Sequence, residues 1–484
     1  MSAIWSNIPT YIVFLHFIAV IVVLFIERKR ADSTIAWILT LLFVPVVGLL
    51  LYIFVGSART YITEKKFSQK QLADKEYEKV LKEQLDIIKH LNPDDEILKK
   101  YRDMIVMNIN SSDSLYTNNN DIELFLSGKE KYASLFRDIK NAKKHIHLMY
   151  YIFNNDNVGN ELIDILCEKA REGVEVRLIY DGFGNIRTKK TAFKRLEKAG
   201  GRVVRFLPNQ IINLLRINYR NHRKIAVIDG EIGYIGGINI GDEYKSLDKR
   251  KKPWRDTHIR ITGTSIVTLQ LRFLSDWTYL TGEKIKDKDD VAGYFCIEPK
   301  KSGNYALQIV SSGPDSPKQQ IKYSVLKMIH KAKNTLYIQT PYFIPDDSIM
   351  DALRIAVESG VDVRVMIPGV PDKKFVYHVT LSYVEELLGM GVKVYSYNGF
   401  LHSKTVVSDD DITSIGSMNM DIRGFALAFE VTAFIYNEEF AKKCNGVFEN
   451  DILNSREIKL EEFKKRSLFR KIQESIYRIL APLM

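Results

Sequence analysis

At 484 residues the chain is too long for one compact core and has room for two or three domains. Its 46% hydrophobic and 27% charged residues exclude wholesale disorder. The formal charge of +11 calls for an anionic partner, nucleic acid or an acidic lipid surface, and three scattered cysteines (Cys167, Cys296, Cys444) form neither a zinc site nor a disulfide framework.

In chain order, residues 8–26 and 35–55 are uncharged apolar runs, each long enough to cross a hydrocarbon core of ~30 Å at ~1.5 Å per residue. No basic residue precedes the first and no small-residue cleavage site follows it, so the pair reads as a two-helix transmembrane hairpin over residues 1–56 rather than a signal peptide. Trp5, Tyr11, Trp37 and Tyr52 lie near the ends of the runs, where amphipathic rings prefer the interface. The basic residues pull in opposite directions: Arg28, Lys29 and Arg30 would hold the short loop in the cytoplasm, whereas Arg59, Lys65, Lys66, Lys70 and Lys75 argue the reverse. The chain is assigned to the cell membrane as a multi-pass protein, with its catalytic part on the cytoplasmic side.

Residues 57–121 are polar and rich in Lys, Glu and, near the end, Asn, and read as a charged connector. From there to about Asn454, short β-rich runs alternate with amphipathic helical runs, the pattern of α/β layers with largely parallel strands. This region repeats itself. YIFNNDNVGNELIDILCEKAREGVEVRLIYD, from Tyr151, resembles YFIPDDSIMDALRIAVESGVDVRVMIP, from Tyr342, with Gly173 and Gly360 each ending a helix just before an apolar strand. The halves are set at residues 122–295 and 296–455. Residues 456–484 follow as a basic amphipathic helix with Leu468, Phe469, Ile472, Ile476, Ile479, Leu480 and Leu483 on one face, suited to an anionic membrane.

The chemistry is carried by a five-position frame that occurs twice. His222, Lys224, Asp229, Gly236 and Asn239 are separated by the same intervals as His402, Lys404, Asp409, Gly416 and Asn419. A single H-x-K is weak evidence, but two identical frames in a chain with only nine histidines are not chance. Residues two apart on a strand share a face, so each frame offers one imidazole and one ammonium together. Asp229 and Asp409 complete the motif and are read as holding a turn, while Asn239 and Asn419 return alongside as neutral donors for phosphate oxygens. Imidazole, lysine and asparagine suit a phosphodiester, with the ammoniums doing what a cation does elsewhere, so neither a metal nor a cofactor is called for. One neutral histidine attacks phosphorus; the other, protonated, gives its proton to the leaving alkoxide and then takes one from the incoming alcohol.

The stretches NYRNHRKIAVIDGEIGYIGGINIGDEY and LHSKTVVSDDDITSIGSMNMDIRG resemble the paired H-x-K-x4-D motifs of the phospholipase D superfamily. Within it, the apolar N-terminal part ending in STIAWILTLLFVPVVGLLLYIFVG resembles the bacterial cardiolipin synthases. The resemblance covers nearly the whole chain. It implies two α/β/α halves about a pseudo-twofold axis, and transfer of a phosphatidyl group from one phosphatidylglycerol to another, with release of glycerol, through a phosphohistidine. It further implies that His222 is the nucleophile, that His402 is the acid and base, and that each is oriented by an acid of the other half, Glu430 for His222 and Asp256 for His402. A hydrolytic phospholipase D or a nuclease with the same groups is the competing reading. Two spans and a basic tail count against a nucleic-acid partner and for an anionic phospholipid and a membrane, and the intact motifs count against a non-catalytic lipid-binding scaffold.

Overall fold

A computed structural model of the chain describes residues 75–90, 96–206, 219–245, 253–283, 293–295 and 303–479, together with residues 17, 18, 20, 21, 31–44, 48 and 52 near the N-terminus. The chain forms two compact units. One comprises Met1–Lys70, Leu207–Tyr219 and Pro314–Pro317, and the other Gln71–Phe206, Arg220–Gly313 and Lys318–Met484.

In the first unit, helix α1 (Ala31–Phe43) starts ahead of the apolar run expected at 35–55. Leu41 and Tyr52 are buried against Trp37 and Ile38, whereas Ile35, Leu39, Leu42 and Phe43 are exposed. Among the described residues no helix is long and apolar enough to cross a membrane. Most of the expected hairpin, including nearly all of 8–26, lies outside the described residues.

The second unit is built on one continuous sheet. Its first half contributes β1 (Tyr116–Phe125), β2 (His145–Tyr150), β3 (Glu175–Asp181), β4 (Arg202–Phe206), β5 (Arg220–Asn221), β6 (Lys224–Ile228), β7 (Ile232–Gly236), β8 (Trp254–Arg255) and β9 (His258–Thr262). Its second half contributes β10 (Tyr305–Ser312), β11 (Thr335–Gln339), β12 (Phe343–Ile344), β13 (Asp362–Pro368), β14 (Lys393–Tyr397), β15 (Phe400–Leu401), β16 (Thr405–Ser408), β17 (Ile412–Gly416), β18 (Met420–Asp421), β19 (Ala428–Tyr436) and β20 (Ser455–Ile458). Outward from the middle of the continuous sheet the first half runs β1-β9-β7-β6-β2-β3-β4 and the second β10-β19-β17-β16-β11-β13-β14-β20, with β5 on β19, while β8–β15 and β12–β18 form separate two-stranded pairs. One order mirrors the other, and antiparallel β1 and β10 close the seam between them. Strands β2, β6, β16 and β19 are buried along their whole length, as strands covered on both faces must be.

The repeated sequence folds as a repeated unit. Helices α5 (Asn157–Arg171) and α9 (Asp347–Glu358) are capped by Asp156 and Asp346, whose carboxylates accept from the amides of Gly159 and Ile349. Each ends in a Schellman turn: Val174 N–H donates to Lys169 C=O, and Val361 N–H to Ala356 C=O. Gly173 and Gly360 carry the left-handed turn at φ +90° and +91°; a Cβ would touch nothing there, so the backbone angle itself selects glycine.

Two boundaries differ from the sequence expectation. The segment read as a charged connector contains α2 (Lys75–His90) and α3 (Glu96–Ser112), whose Leu81, Ile88, Tyr101, Met104, Ile105 and Ile109 belong to the core of the second half. Asn108 of α3 is wired to Gln308 of β10 and Ser324. The charge-rich composition masked this because only one face of each helix is apolar. At the other end, the helix expected from 456 is divided: Ser455–Ile458 forms an edge strand on β14, and Ser467 caps a separate α14 (Leu468–Ile479) by accepting from Arg470 N–H. Helix α14 and the turn before it lie against α10 (Lys374–Gly389) through Arg466 of the turn to Glu385, Arg478 to Glu386, and the Tyr477 ring on Phe375 at 4.6 Å. Its Leu468, Phe469, Ile472 and Ile476 remain 51–75% exposed, and residues 480–484 lie outside the described region.

Candidate active site

Strand register brings the two frames together. Parallel pairing of β5 with β19 sets Arg220 opposite Ala428 and Asn221 opposite Phe429, so the next rung sets His222 opposite Glu430. Parallel pairing of β15 with β8 sets Phe400 opposite Trp254 and Leu401 opposite Arg255, so the next rung sets His402 opposite Asp256. His222 Nδ1 lies 2.9 Å from Glu430 Oε1, and His402 Nδ1 lies 2.6 Å from Asp256 Oδ2. Each imidazole is thus oriented by an acid of the opposite half. The frame glycines follow from close packing on the next strand of their own half, because a Cβ at Gly236 would sit 2.5 Å from His258 Cα and one at Gly416 would sit 2.5 Å from Val431 C=O.

The tautomers follow from the partners. His222 Nδ1 also lies 3.1 Å from the carbonyl of Ser417, which can only accept, so Nδ1 carries the hydrogen and Nε2 the lone pair. Burial and the ammoniums of Lys224 and Lys404 push the His222 imidazole well below its ordinary value, keeping it neutral. Burial and Lys404 lower His402 to about 4 against the opposing pull of Asp256. The acids differ. Burial raises Glu430 to about 8, whereas Asp256, which burial alone would raise, is held below the usual range by His402 and Lys404.

The lysines stand in matched positions. Lys224 Nζ donates to the His222 carbonyl at 2.6 Å and Lys404 Nζ to the His402 carbonyl at 2.5 Å. Both are buried, and burial lowers them to about 7 and about 8. Two confined ammoniums in a low dielectric are a receptor for an anion, which returns both to the charged form.

Asp229 and Asp409, grouped with the catalytic residues of the motif, lie at the far ends of β6 and β16. Each lies five positions beyond its lysine, ~16 Å along a strand at ~3.3 Å per residue. From left-handed positions at φ +55° and +50° their carboxylates accept backbone amides, Asp229 those of Lys143, Lys144 and His145 and Asp409 those of Lys333, Asn334 and Thr335. They pin each hairpin to the start of the neighbouring strand and do not reach the reacting centre. Asn239 accepts from Ile152 N–H at 3.2 Å and donates to the Tyr244 hydroxyl at 3.0 Å, which leaves one amide hydrogen for a ligand. Asn419 keeps a buried Oδ1 without a hydrogen-bond partner. Among the described residues no three His, Cys, Asp or Glu side chains gather as a metal-ligand set.

Four residues around the site were not singled out from sequence. The Tyr151 ring stands 4.9 Å from His222, with Lys224 Nζ 5.3 Å above it. Trp254 and Phe400 stand 5.2 and 5.7 Å from His402. Arg223 is fully buried, donating to Asp276 at 2.7 Å and to the Glu430 carbonyl at 3.2 Å. Tyr151 did carry a signal, since Tyr151 and Tyr342 head the two repeats.

Two H-x-K strands, a mirrored sheet and crossed His–acid pairs define a phospholipase D-type α/β protein. A solved phosphatidylserine synthase of Haemophilus influenzae Rd KW20 shares this fold, with a TM-score of 0.56 at 15% identity over 75% of this chain and 93% of that one. The family described as "Cardiolipin synthase, PLD-like domain" matches residues 135–249 and 325–452, and "Phospholipase_D-nuclease N-terminal" matches residues 14–57. The chain is 45% identical over 474 residues to a cardiolipin synthase of Listeria monocytogenes serotype 4a (strain HCC23), with 96% of each chain covered. It is 44% identical over 477 residues to the major cardiolipin synthase ClsA of Bacillus subtilis (strain 168), with 97% of each covered. The chain belongs to the bacterial cardiolipin synthase family.

Proposed function

We propose that the chain is a phosphatidyltransferase that makes cardiolipin, moving a phosphatidyl group from one phosphatidylglycerol to a hydroxyl of a second with release of glycerol. The observation that carries this reading is the pair of crossed His–acid contacts beside two buried lysines. His222 Nε2 forms the bond to phosphorus while the bond to the glycerol oxygen breaks, and His402 supplies the proton to that oxygen. In the second step the acceptor hydroxyl gives its proton to His402 Nε2 as its oxygen bonds phosphorus and the phosphorus–nitrogen bond breaks. Lys224, Lys404, Asn239 and Asn419 hold the nonbridging oxygens. The electrostatics bear on this division: ionised Asp256 pulls His402 towards its protonated form against the burial that lowers it to about 4, while burial, Lys224 and Lys404 keep His222 neutral.

Purified enzyme given phosphatidylglycerol alone is expected to yield cardiolipin and free glycerol in nearly equal amounts, with phosphatidic acid a minor product. Predominant phosphatidic acid at every lipid density would make it a hydrolase. Acid-quenched enzyme should retain acyl label and not headgroup label, and should lose this in His222→Ala.

The membrane reading rests on the apolar run at 35–55, the exposed side chains of α1, and the apolar stripe of α14 beside Arg470 and Lys471. Leu468→Asp with Phe469→Asp should weaken flotation with anionic vesicles without lowering the melting temperature. Protection from added protease in inside-out vesicles would contradict the cytoplasmic assignment.

A further inference from the structure

The two histidine strands share one geometry, so what differs beside them needs its own cause. On a strand the residue two positions earlier projects from the same face, ~6.6 Å away. Stepping back one such interval from each His–acid rung gives Arg220 opposite Ala428 on the His222 side and Phe400 opposite Trp254 on the His402 side. One neighbour pairs a cation with a methyl group; the other pairs two large rings. The Trp254 and Phe400 rings meet edge-on at 4.4 Å, and Tyr244 backs Trp254 at 4.8 Å. Both rings also lie against the His402 imidazole, Phe400 nearly parallel to it with 30° between planes. On the other side the Arg220 guanidinium lies 3.9 Å over the ring of Phe183, an exposed residue. A duplicated frame has therefore acquired a wall of two joined apolar rings at His402, where His222 has the single ring of Tyr151 and a cation on the preceding rung.

We propose that Trp254 and Phe400 form the alcohol subsite, an aromatic wall that seats the glycerol headgroup of the acceptor phospholipid at His402 and keeps water off the line of attack. This rests on the phosphatidyl-transfer reading above. Departing and entering alcohols use the same side of phosphorus, because the second step is the reverse of the first with a different alcohol, so one wall beside the acid–base histidine serves both. The choice between products is made there. Water and an alcohol present the same hydroxyl to His402 Nε2, but only the polyol has C–H faces to pack on indole and phenyl rings, and a wall that excludes water favours the alcohol.

The test uses the full chain in mixed micelles of acyl-labelled phosphatidylglycerol and measures the ratio of phosphatidic acid to cardiolipin, with melting temperature as the check on folding. Trp254→Ala should raise that ratio several-fold, and Phe400→Leu, which preserves bulk, should shift it the same way by less. Trp254→Phe should restore most of the wild-type ratio, and Arg220→Gln, on the opposite rung, should leave it unchanged. Folded variants that turn over more slowly with an unaltered ratio would reduce the rings to packing and overturn the wall. A larger shift in Arg220→Gln than in Trp254→Ala would move the alcohol subsite to the other histidine. Wild-type enzyme that forms no cardiolipin at all would overturn the transfer reading itself.

Discussion

The first half supplies Asp256 to His402 and the second supplies Glu430 to His222 through the same ladder geometry, yet the two carboxyls are held in different states. Asp256 accepts the Thr257 amide at 2.7 Å as well as the imidazole and lies near Lys404, so its charge is well supported. Glu430 is pushed up by burial, and the charge of Asp421 adds to that push while Lys224 opposes it. Duplication copied the backbone and not the field. Burial keeps both imidazoles neutral in the free enzyme, His402 at about 4, but at His402 an ionised acid pulls against that, which eases the passage of a proton through it, while His222 keeps the free lone pair that a nucleophile needs.

The comparison breaks most sharply at the acids. Asp256→Asn should lower kcat by about 10²–10⁴, because a neutral amide cannot support the imidazolium. Glu430→Gln should cost about tenfold less, since burial raises the Glu430 carboxyl itself to about 8 and the amide replaces a group already uncharged near neutral pH. Equal losses would erase the distinction. Next, Lys224→Met and Lys404→Met should each lower kcat by about 10²–10³, as expected for a lost stabiliser of developing charge, with substrate KM changed far less. A loss confined to KM would make them binding groups only.

Stability against pH sharpens the picture further. Lysines lowered to about 7 and about 8 bind a proton in the unfolded chain but not in the folded one up to about 10.4, so their contribution is complete above that pH and is lost as pH falls through about 8 and 7. Glu430, raised to about 8, contributes fully below about 4.3 and loses that contribution as pH rises through 8. Of these three groups only the lysines act between pH 8 and 10, and because other shifted groups such as Cys444 and Lys131 are common to both proteins, the ligand-free enzyme should gain melting temperature there relative to a Lys224→Met, Lys404→Met double variant. A soluble phosphodiester should remove the difference. The smallest effect is expected at the turn aspartates: Asp229→Ala should cost about 1–3 kcal/mol for its stranded amides. Asp409→Ala should cost up to ~1 kcal/mol more, because Lys100 also pairs with Asp409 at 2.6 Å. Denaturant midpoints would separate the two.

Much of this was legible in the sequence because it depends on fixed intervals. The offsets from His222 and His402 to Lys, Asp, Gly and Asn are set by strand rise and turn length, which a linear pattern records. Arg223 was hidden for a physical reason: it alternates to the opposite face from His222 and Lys224, a face that in a one-sided sheet would meet water. Here α7 (Ile266–Thr281) covers that face and Asp276 neutralises the guanidinium. Trp254 and Phe400 were equally hidden, since their juxtaposition comes from a parallel rung between strands far apart in sequence. Helices α2 and α3 escaped because amphipathic, charge-rich segments read alike whether they lie on a core or in solvent.

The seam and the crossed rungs also set an order of events during synthesis. His222 and Glu430 are 208 residues apart, which at ~5–20 residues per second is a wait of about 10–40 s on the ribosome. For the first part of that interval β1 lacks its seam partner β10 and Arg223 the carbonyl of Ser312, and to its end β5 lacks β19 and the Arg223 guanidinium lacks the Glu430 carbonyl that it meets in the finished fold. The nascent first half therefore emerges with an open sheet edge and an incompletely satisfied cation. It is a client for whatever shields unpaired strands until the second half arrives.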